Sequence, residues 1–346
     1  MKIAIITIYS INYGNRLQNY ALAEYLGQYA KCETIYPSKK YITCTGKLKR
    51  IIRIFRGKTK EDMFARFNKN ISFSQFYIDD NTNERVKKYY DYFIAGSDQI
   101  WNPLFPTTTE REFLSFADPT QRITYAASIG IDELPAQYYK IYKQRINNIP
   151  FVSMREERGA EIVKQLTGRE VDVVLDPTLL LNSEQWRKVE KKSKYQPTKN
   201  YIFQYYLGKN DEYYNDEIEQ IAEKYHLEIF KITNKERRAI GPAEFISLLD
   251  HSSFVCTDSF HGTVFSILFQ KPFITLERPY ENGYGNMNSR IDTILSMFHL
   301  EERRINKKRC ITNDLMSCDF SQCEKILEEQ RKKSDNYIKK ALHLER

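Results

Sequence analysis

Apolar residues in this chain fall into short blocks separated by polar stretches of helical length. Lys2 to Ile8 runs continuously apolar and is rich in β-branched residues, as a strand buried on both faces does, and Asn15 to Tyr29 reads as the helix that follows. Further strand-like runs recur at Tyr92–Ala95, Ile123–Ala126, Phe151–Met154 and Val171–Leu175. Between the last three lie helix-compatible segments, Pro135–Ile146 and Glu156–Leu166, the first with proline at the helix start, where its missing N–H costs little. Alternation of this kind predicts a parallel sheet with helices on both faces.

After Pro177 the chain turns polar, and Trp186–Lys199 reads as a linker. A second alternating series follows: strand Tyr201–Tyr205, helix Asp211–Tyr225, strand Leu227–Ile232, helix Pro242–Leu249, strand Ser253–Thr257, helix Gly262–Phe269 and strand Pro272–Leu276. Helices over Arg290–Phe298 and, long and charged, Ser321–Leu342 complete the prediction. The expected fold is therefore α/β, with two doubly wound Rossmann-like domains facing a cleft: residues 1–182, residues 198–318, and a C-terminal helical segment 319–346. Ligands of such folds collect at the carboxyl ends of strands, so the loops after strands are where chemistry is sought.

Composition narrows the classes. With 346 residues, 41% apolar, the chain can bury two ordinary cores, and a disordered chain is excluded. The N-terminal apolar run is too short for a signal peptide, and no segment reaches the roughly 18 apolar residues of a membrane span, so a cytoplasmic location is expected. Six scattered cysteines form no C-x-x-C pair and suggest neither zinc nor disulfides. The formal charge of +8 is modest and spread along the chain, which disfavours nucleic acid as a partner. One stretch breaks the pattern: a basic insertion at 39–70, in which Lys47–Lys58 mixes basic and apolar residues. It suits peripheral contact with the inner face of an anionic membrane, or a solvated helix packed on the first domain by its Ile and Phe side chains.

Four strand-end loops carry chemistry. Thr257-Asp258-Ser259-Phe260-His261-Gly262-Thr263 ends a strand and opens a helix, whose unpaired N–H groups and partial positive charge suit phosphate or carboxylate. Arg155, at another strand end, offers a permanently charged fork for the same groups, or a partner for the glutamates beside it. Gly96-Ser97-Asp98-Gln99-Ile100-Trp101-Asn102-Pro103 supplies Asp98 to orient or deprotonate a hydroxyl, Gln99 and Asn102 to hydrogen-bond sugar hydroxyls, and Trp101 to stack on a pyranose. The first junction, Asn12-Tyr13-Gly14-Asn15-Arg16-Leu17-Gln18, has neither a dinucleotide nor a P-loop pattern. No D-x-D, H-E-x-x-H or G-x-S-x-G occurs, so nothing calls for a metal, a cofactor or a serine nucleophile.

Taken together, these blocks, with Tyr125-Ala126-Ala127-Ser128, Ser153-Met154-Arg155-Glu156, Asp176-Pro177-Thr178, Gly241-Pro242 and Asn288-Ser289-Arg290, resemble the polysaccharide pyruvyl transferase family across nearly the whole chain. The resemblance implies a GT-B-type fold and ketal transfer from phosphoenolpyruvate to hydroxyls of a glycan residue, in cell-surface or exopolysaccharide synthesis, with a glycan or lipid-linked saccharide as acceptor. It places an Arg at Arg155 and a His at His261 against phosphoenolpyruvate. On that reading Ser259, Gly262, Thr263 and Arg290 complete the donor site, His261 is the general acid, Asp98 serves the acceptor, and Asn15, Gln18, Gln99, Trp101 and Asn102 bind the glycan. Two alternatives remain at this level: a GT-B glycosyltransferase using a nucleotide sugar, and a non-catalytic glycan- or anion-binding protein on the same scaffold.

Overall fold

A computed structural model describes residues 1–37, 59–78, 83–208, 214–232, 239–278, 288–306 and 311–345. The proposed membrane-contact segment 47–58 lies outside the described residues. Among the described residues no helix is long and apolar enough to cross a membrane.

The first domain is built on a parallel sheet. Strands β1 (Lys2–Ile6), β2 (Lys31–Tyr36), β3 (Phe73–Tyr77), β4 (Tyr92–Ala95) and β5 (Arg122–Thr124) stand in the order β3-β2-β1-β4-β5. Single bridges from Ile123 to Phe151 and from Ala127 to Met154 continue it to the pair β6 (Ser153–Met154) and β7 (Asp172–Val173). Helix α1 (Tyr13–Leu26) follows β1, with Asn12 capping it by accepting the Asn15 N–H. Helices α2 (Lys60–Phe67), α3 (Asn83–Tyr89), α4 (Tyr139–Asn147), α5 (Glu157–Thr167), α6 (Pro177–Leu180) and α7 (Ser183–Arg187) follow in turn.

The second sheet, also parallel, has the order β12-β11-β10-β8-β9, from β8 (Tyr201–Tyr205), β9 (Glu228–Lys231), β10 (Phe254–Thr257), β11 (Phe273–Leu276) and β12 (Arg304–Ile305). Its helices are α8 (Asn215–Lys224), α9 (Pro242–Asp250), α10 (Phe260–Leu268) and α11 (Ser289–Met297).

One feature was left open by the sequence and another differs from it. The last helix, α12 (Cys323–Ala341), for which the sequence names no packing partner, packs on the first domain. Ser334 Oγ accepts from Leu175 N–H at 3.1 Å, Tyr337 O–H donates to Thr124 O at 2.7 Å, and Arg331 bonds the carbonyls of Leu179 and Leu181. Trp186, expected to open a linker, is fully buried between Tyr20 and Phe265.

The domains share one apolar core below the cleft. Tyr13 of α1 stacks on Phe245 of α9, with ring centroids 4.7 Å apart, and on Phe64 of α2; Tyr205 meets both Tyr13 and Phe245 edge-on. The aromatic richness of the chain thus serves this seam, each such pair adding about 0.5–1.5 kcal/mol beyond its buried area. Part of the basic insertion belongs to it too, since Met63, Phe64 and Phe67 of α2 are buried.

Candidate functional site

A cavity of about 350 Å³ opens at the carboxyl ends of both sheets. From the first domain it is lined by Ser10 of the β1–α1 loop, Asn15 in the first turn of α1, and Asp98 and Gln99 after β4; the second supplies Ser259, Phe260, His261, Arg278 and Arg290.

Asp98 sits at a sharp turn where the chain leaves β4. Its φ of 72° is left-handed, a conformation costing a non-glycine residue roughly 1–3 kcal/mol unless its surroundings enforce it. They do: Ser128 N–H and Ile100 N–H both donate to Asp98 O, and Gln99 N–H donates to Asp98 Oδ1 at 2.8 Å. Asn15 Nδ2 donates to Asp98 Oδ2, and Ser10 in turn donates to Asn15 Oδ1. Burial opposes ionisation of Asp98, but Arg155, His261 and Arg290 outweigh it and hold the carboxyl below the usual carboxylate range.

Arg155 follows β6 and is engaged by acids on several sides. Nη1 bonds Asp176 Oδ2 at 2.8 Å, Nη2 lies 3.4 Å from Asp98 Oδ1, and Nε lies 4.0 Å from Glu156 Oε2. The ring of Phe260 covers one side, 4.5 Å from the guanidinium. Arg155 therefore lies behind the cavity wall, organising carboxylates, where the sequence suggested direct contact with an anion. Glu156 takes the Ile129 and Gly130 N–H groups on Oε1, and its burial raises its pKa against the pull of Arg155 and Arg290.

Asp176, after β7, is the anchor that sequence reasoning passed over. Oδ1 accepts from Thr178 N–H at 3.0 Å and Thr178 O–H at 2.6 Å; Oδ2 accepts from Arg155 and from Ser97 O–H at 3.1 Å. Burial works against its charge, yet His261, Arg155 and these donors bring its pKa down to about 2. A strand-end acid followed by proline at the start of a helix was visible in the sequence; its partners, up to 85 residues away in the chain, were not.

From the second domain, Ser259 caps α10 by accepting the Gly262 N–H, placing His261 in the first turn. His261 is buried, its Nε2 has no hydrogen-bond partner, and that atom lies 3.8 Å from Asp176 Oδ2. Burial lowers its pKa against the opposing attraction of Asp176 and Asp98. Gly14 of α1 packs over the ring so closely that a Cβ there would lie 2.1 Å from His261 Nδ1 and 2.4 Å from Cε1.

Arg290, on α11, differs from Arg155. It is 6% exposed, its Nε is buried without a partner, and its guanidinium has no hydrogen bond or ion pair among the described residues. The Phe260 ring lies 5.8 Å from it, and Asp98 and Glu156 attract it without forming an ion pair. Burial, with the like charge of Arg155, brings its pKa down to about 10.

The other expected contacts divide. Asn15, Gln99 and Ser259 line the cavity, whereas Gln18, Trp101, Asn102, Gly262 and Thr263 form its scaffold. Trp101 is fully buried, stacked on Phe113 at 5.0 Å with its indole N–H donating to Glu112 O, so neither face is open to a sugar. Asn102 spends its amide on Gln99 Oε1 and Leu104 N–H, and Gln18 spends its own on Thr7 and Asn15 O. Thr263 bonds Thr275 and Ser259 O, and Gly262 admits Thr257, whose Oγ1 would lie 2.4 Å from a Cβ.

Solved structures with the same architecture include the UDP-GlcNAc 2-epimerase from Neisseria meningitidis bound to UDP-GlcNAc, 10% identical with TM-score 0.50 over 100% of both chains. The UDP-GlcNAc 2-epimerase from Methanocaldococcus jannaschii is 14% identical, also with TM-score 0.50, over 95% of this chain and 100% of that one. Likeness at that identity defines the fold, which is of the GT-B type. No curated protein sequence matches the chain. The family model described as polysaccharide pyruvyl transferase matches residues 12–279, a span that contains Asp98, Arg155, Asp176 and His261 and stops short of Arg290. The chain belongs to the polysaccharide pyruvyl transferase family.

Proposed function

We propose that this protein transfers a pyruvyl group from phosphoenolpyruvate to two hydroxyls of a glycan residue, forming a cyclic ketal. The observation that carries the reading is Arg290, buried with no ion pair among the described residues, lining with His261 a cavity that both domains build. Asp98 and Glu156 only partly offset the cost of burying that charge, and a small anion entering the cavity relieves it. Arg278, which also lines the cavity and lies 3.4 Å from Asp258, adds a second cation for a donor carrying both phosphate and carboxylate.

In the proposed reaction His261, protonated on anion binding, gives a proton to the methylene carbon of phosphoenolpyruvate, leaving C2 cationic. A sugar hydroxyl adds to C2, the C2–O bond to phosphate breaks, and the second hydroxyl closes the ring. The two hydroxyl protons restore the acid and leave with phosphate. Asp98, held below the usual carboxylate range, is a weak base and serves mainly to orient the acceptor hydroxyl. Arg155 fixes Asp98 and Asp176 with respect to each other.

Thermal stabilisation tests the donor. A ligand that binds only the native state, at 100 times its Kd, stabilises by about 2.7 kcal/mol. Phosphoenolpyruvate is expected to raise Tm, and a mass gain of one pyruvyl ketal on a glycan acceptor would complete the demonstration. Stabilisation by UDP-GlcNAc with none by phosphoenolpyruvate would overturn the proposal in favour of a nucleotide-sugar enzyme.

A further inference from the structure

We propose that Asp176 is the positioning residue of His261: it faces Nε2 across the domain boundary and holds the neutral ring as the Nε2–H tautomer. The inference rests on the reading of His261 as the proton donor and adds what orients its ring.

The geometry separates the two nitrogens. Nε2 is buried, has no hydrogen-bond partner, and lies 3.8 Å from Asp176 Oδ2. The backbone of Gly14, at the start of α1, closes over the ring near Nδ1. A proton on Nε2 points at a carboxylate; a neutral ring protonated on Nδ1 would set the Nε2 lone pair against that carboxylate. At 3.8 Å the contact is electrostatic and not a hydrogen bond, and catalytic contacts of this kind tighten on substrate binding.

Asp176 cannot turn away to serve another group. Thr178 fixes Oδ1 through backbone and side chain, and Ser97 and Arg155 fix Oδ2. The remaining charged groups acting on the ring are Asp98 after β4, Arg155 after β6 and Arg290 on α11; α1 presents the Gly14 backbone. The two arginines oppose protonation and the two aspartates favour it, so Asp176, the aspartate within reach of Nε2, governs where the proton resides. The arrangement is that of an aspartate holding a catalytic imidazole in one tautomer, with the carboxylate at Nε2 where the serine-protease triad has it at Nδ1. Because the carboxylate and the imidazole belong to different domains, the dyad forms only when the domains are docked.

Nitrogen NMR of the full-length protein, labelled at its five histidines and assigned with His261→Gln, reads the tautomer directly. The expected result is Nε2–H for neutral His261, with its pKa falling by about one unit or more in Asp176→Asn. An Nδ1–H tautomer in the wild type, or a His261 pKa that Asp176→Asn leaves unchanged, would overturn the proposal. The wild-type tautomer decides the matter even where Asp176→Asn does not fold. Both readouts are independent of phosphoenolpyruvate, so a protein that shows the dyad yet binds no phosphoenolpyruvate refutes the proposed function alone.

Discussion

Replacing Arg290 by methionine should make the free protein more stable and abolish its response to the donor. The side chain keeps most of its volume, so the change chiefly removes a buried charge. Burial is the main cause that brings the pKa of Arg290 down from the usual guanidinium range to about 10. That drop, at about 1.4 kcal/mol per pH unit, is a penalty on the order of 3 kcal/mol for holding the charged form in the folded state. Because the folded-state value lies below the unfolded one, that penalty is fully present at any pH below about 10 and fades as pH rises further. At neutral pH Arg290→Met should therefore raise stability by up to about 3 kcal/mol, or about 2–4 °C in Tm per kcal/mol. Differential scanning fluorimetry with and without phosphoenolpyruvate reads both effects. Wild type starts lower and shifts upward with ligand; the variant starts higher and does not shift. A variant that melts several degrees below wild type and still responds to phosphoenolpyruvate would show that Arg290 is a structural cation.

Gly14→Ala should inactivate the protein without unfolding it. The new Cβ must move from 2.1 Å to about 3.4 Å from His261 Nδ1, a displacement of about 1.3 Å, and a misplacement of that size costs about 100-fold in turnover, whereas alanine in a helix is if anything stabilising; turnover within threefold of wild type would contradict it. Affinity for phosphoenolpyruvate should be greatest at acidic pH and fall as pH rises through the His261 pKa of the complex, because burial lowers that pKa in the free protein and a bound anion raises it. Calorimetry from pH 5.5 to 8 checks this, and His261→Gln should flatten the profile. Trp101→Ala should cost about 3–5 kcal/mol of stability, as for a fully buried aromatic, measured by denaturant unfolding; loss of acceptor affinity with unchanged stability would restore Trp101 as a sugar platform.

How much of this was legible in the chain depends on how local the cause is. Tyr92–Ala95 and Tyr201–Tyr205 read correctly to the residue, because central parallel strands are buried on both faces and leave unbroken apolar runs. β2 and β3, with sequences KCETIY and FSQFY, went unread, since strands toward an edge alternate with polar residues and resemble loops. The strand-end loops carrying Asp98, Arg155 and His261 were equally visible, as turn residues and helix caps act over three or four positions.

Roles were another matter. Arg155 and Arg290 are chemically the same residue, and local sequence does not distinguish the one ion-paired with carboxylates from the one with no ion pair among the described residues. Trp101 looked like a binding aromatic because composition does not show that Phe113 covers its face. The placement of α12 on the first domain and the Asp176–His261 pairing depend on contacts between residues far apart in sequence. The sequence by itself determined the parallel α/β pattern, its central strands and most of the reactive groups, because those follow from periodicity and short-range geometry. Only the tertiary structure decided which charges are paired, which aromatics are spent in the seam and which nitrogen of His261 meets a carboxylate, because burial and electrostatic compensation are properties of neighbours that the chain order does not specify.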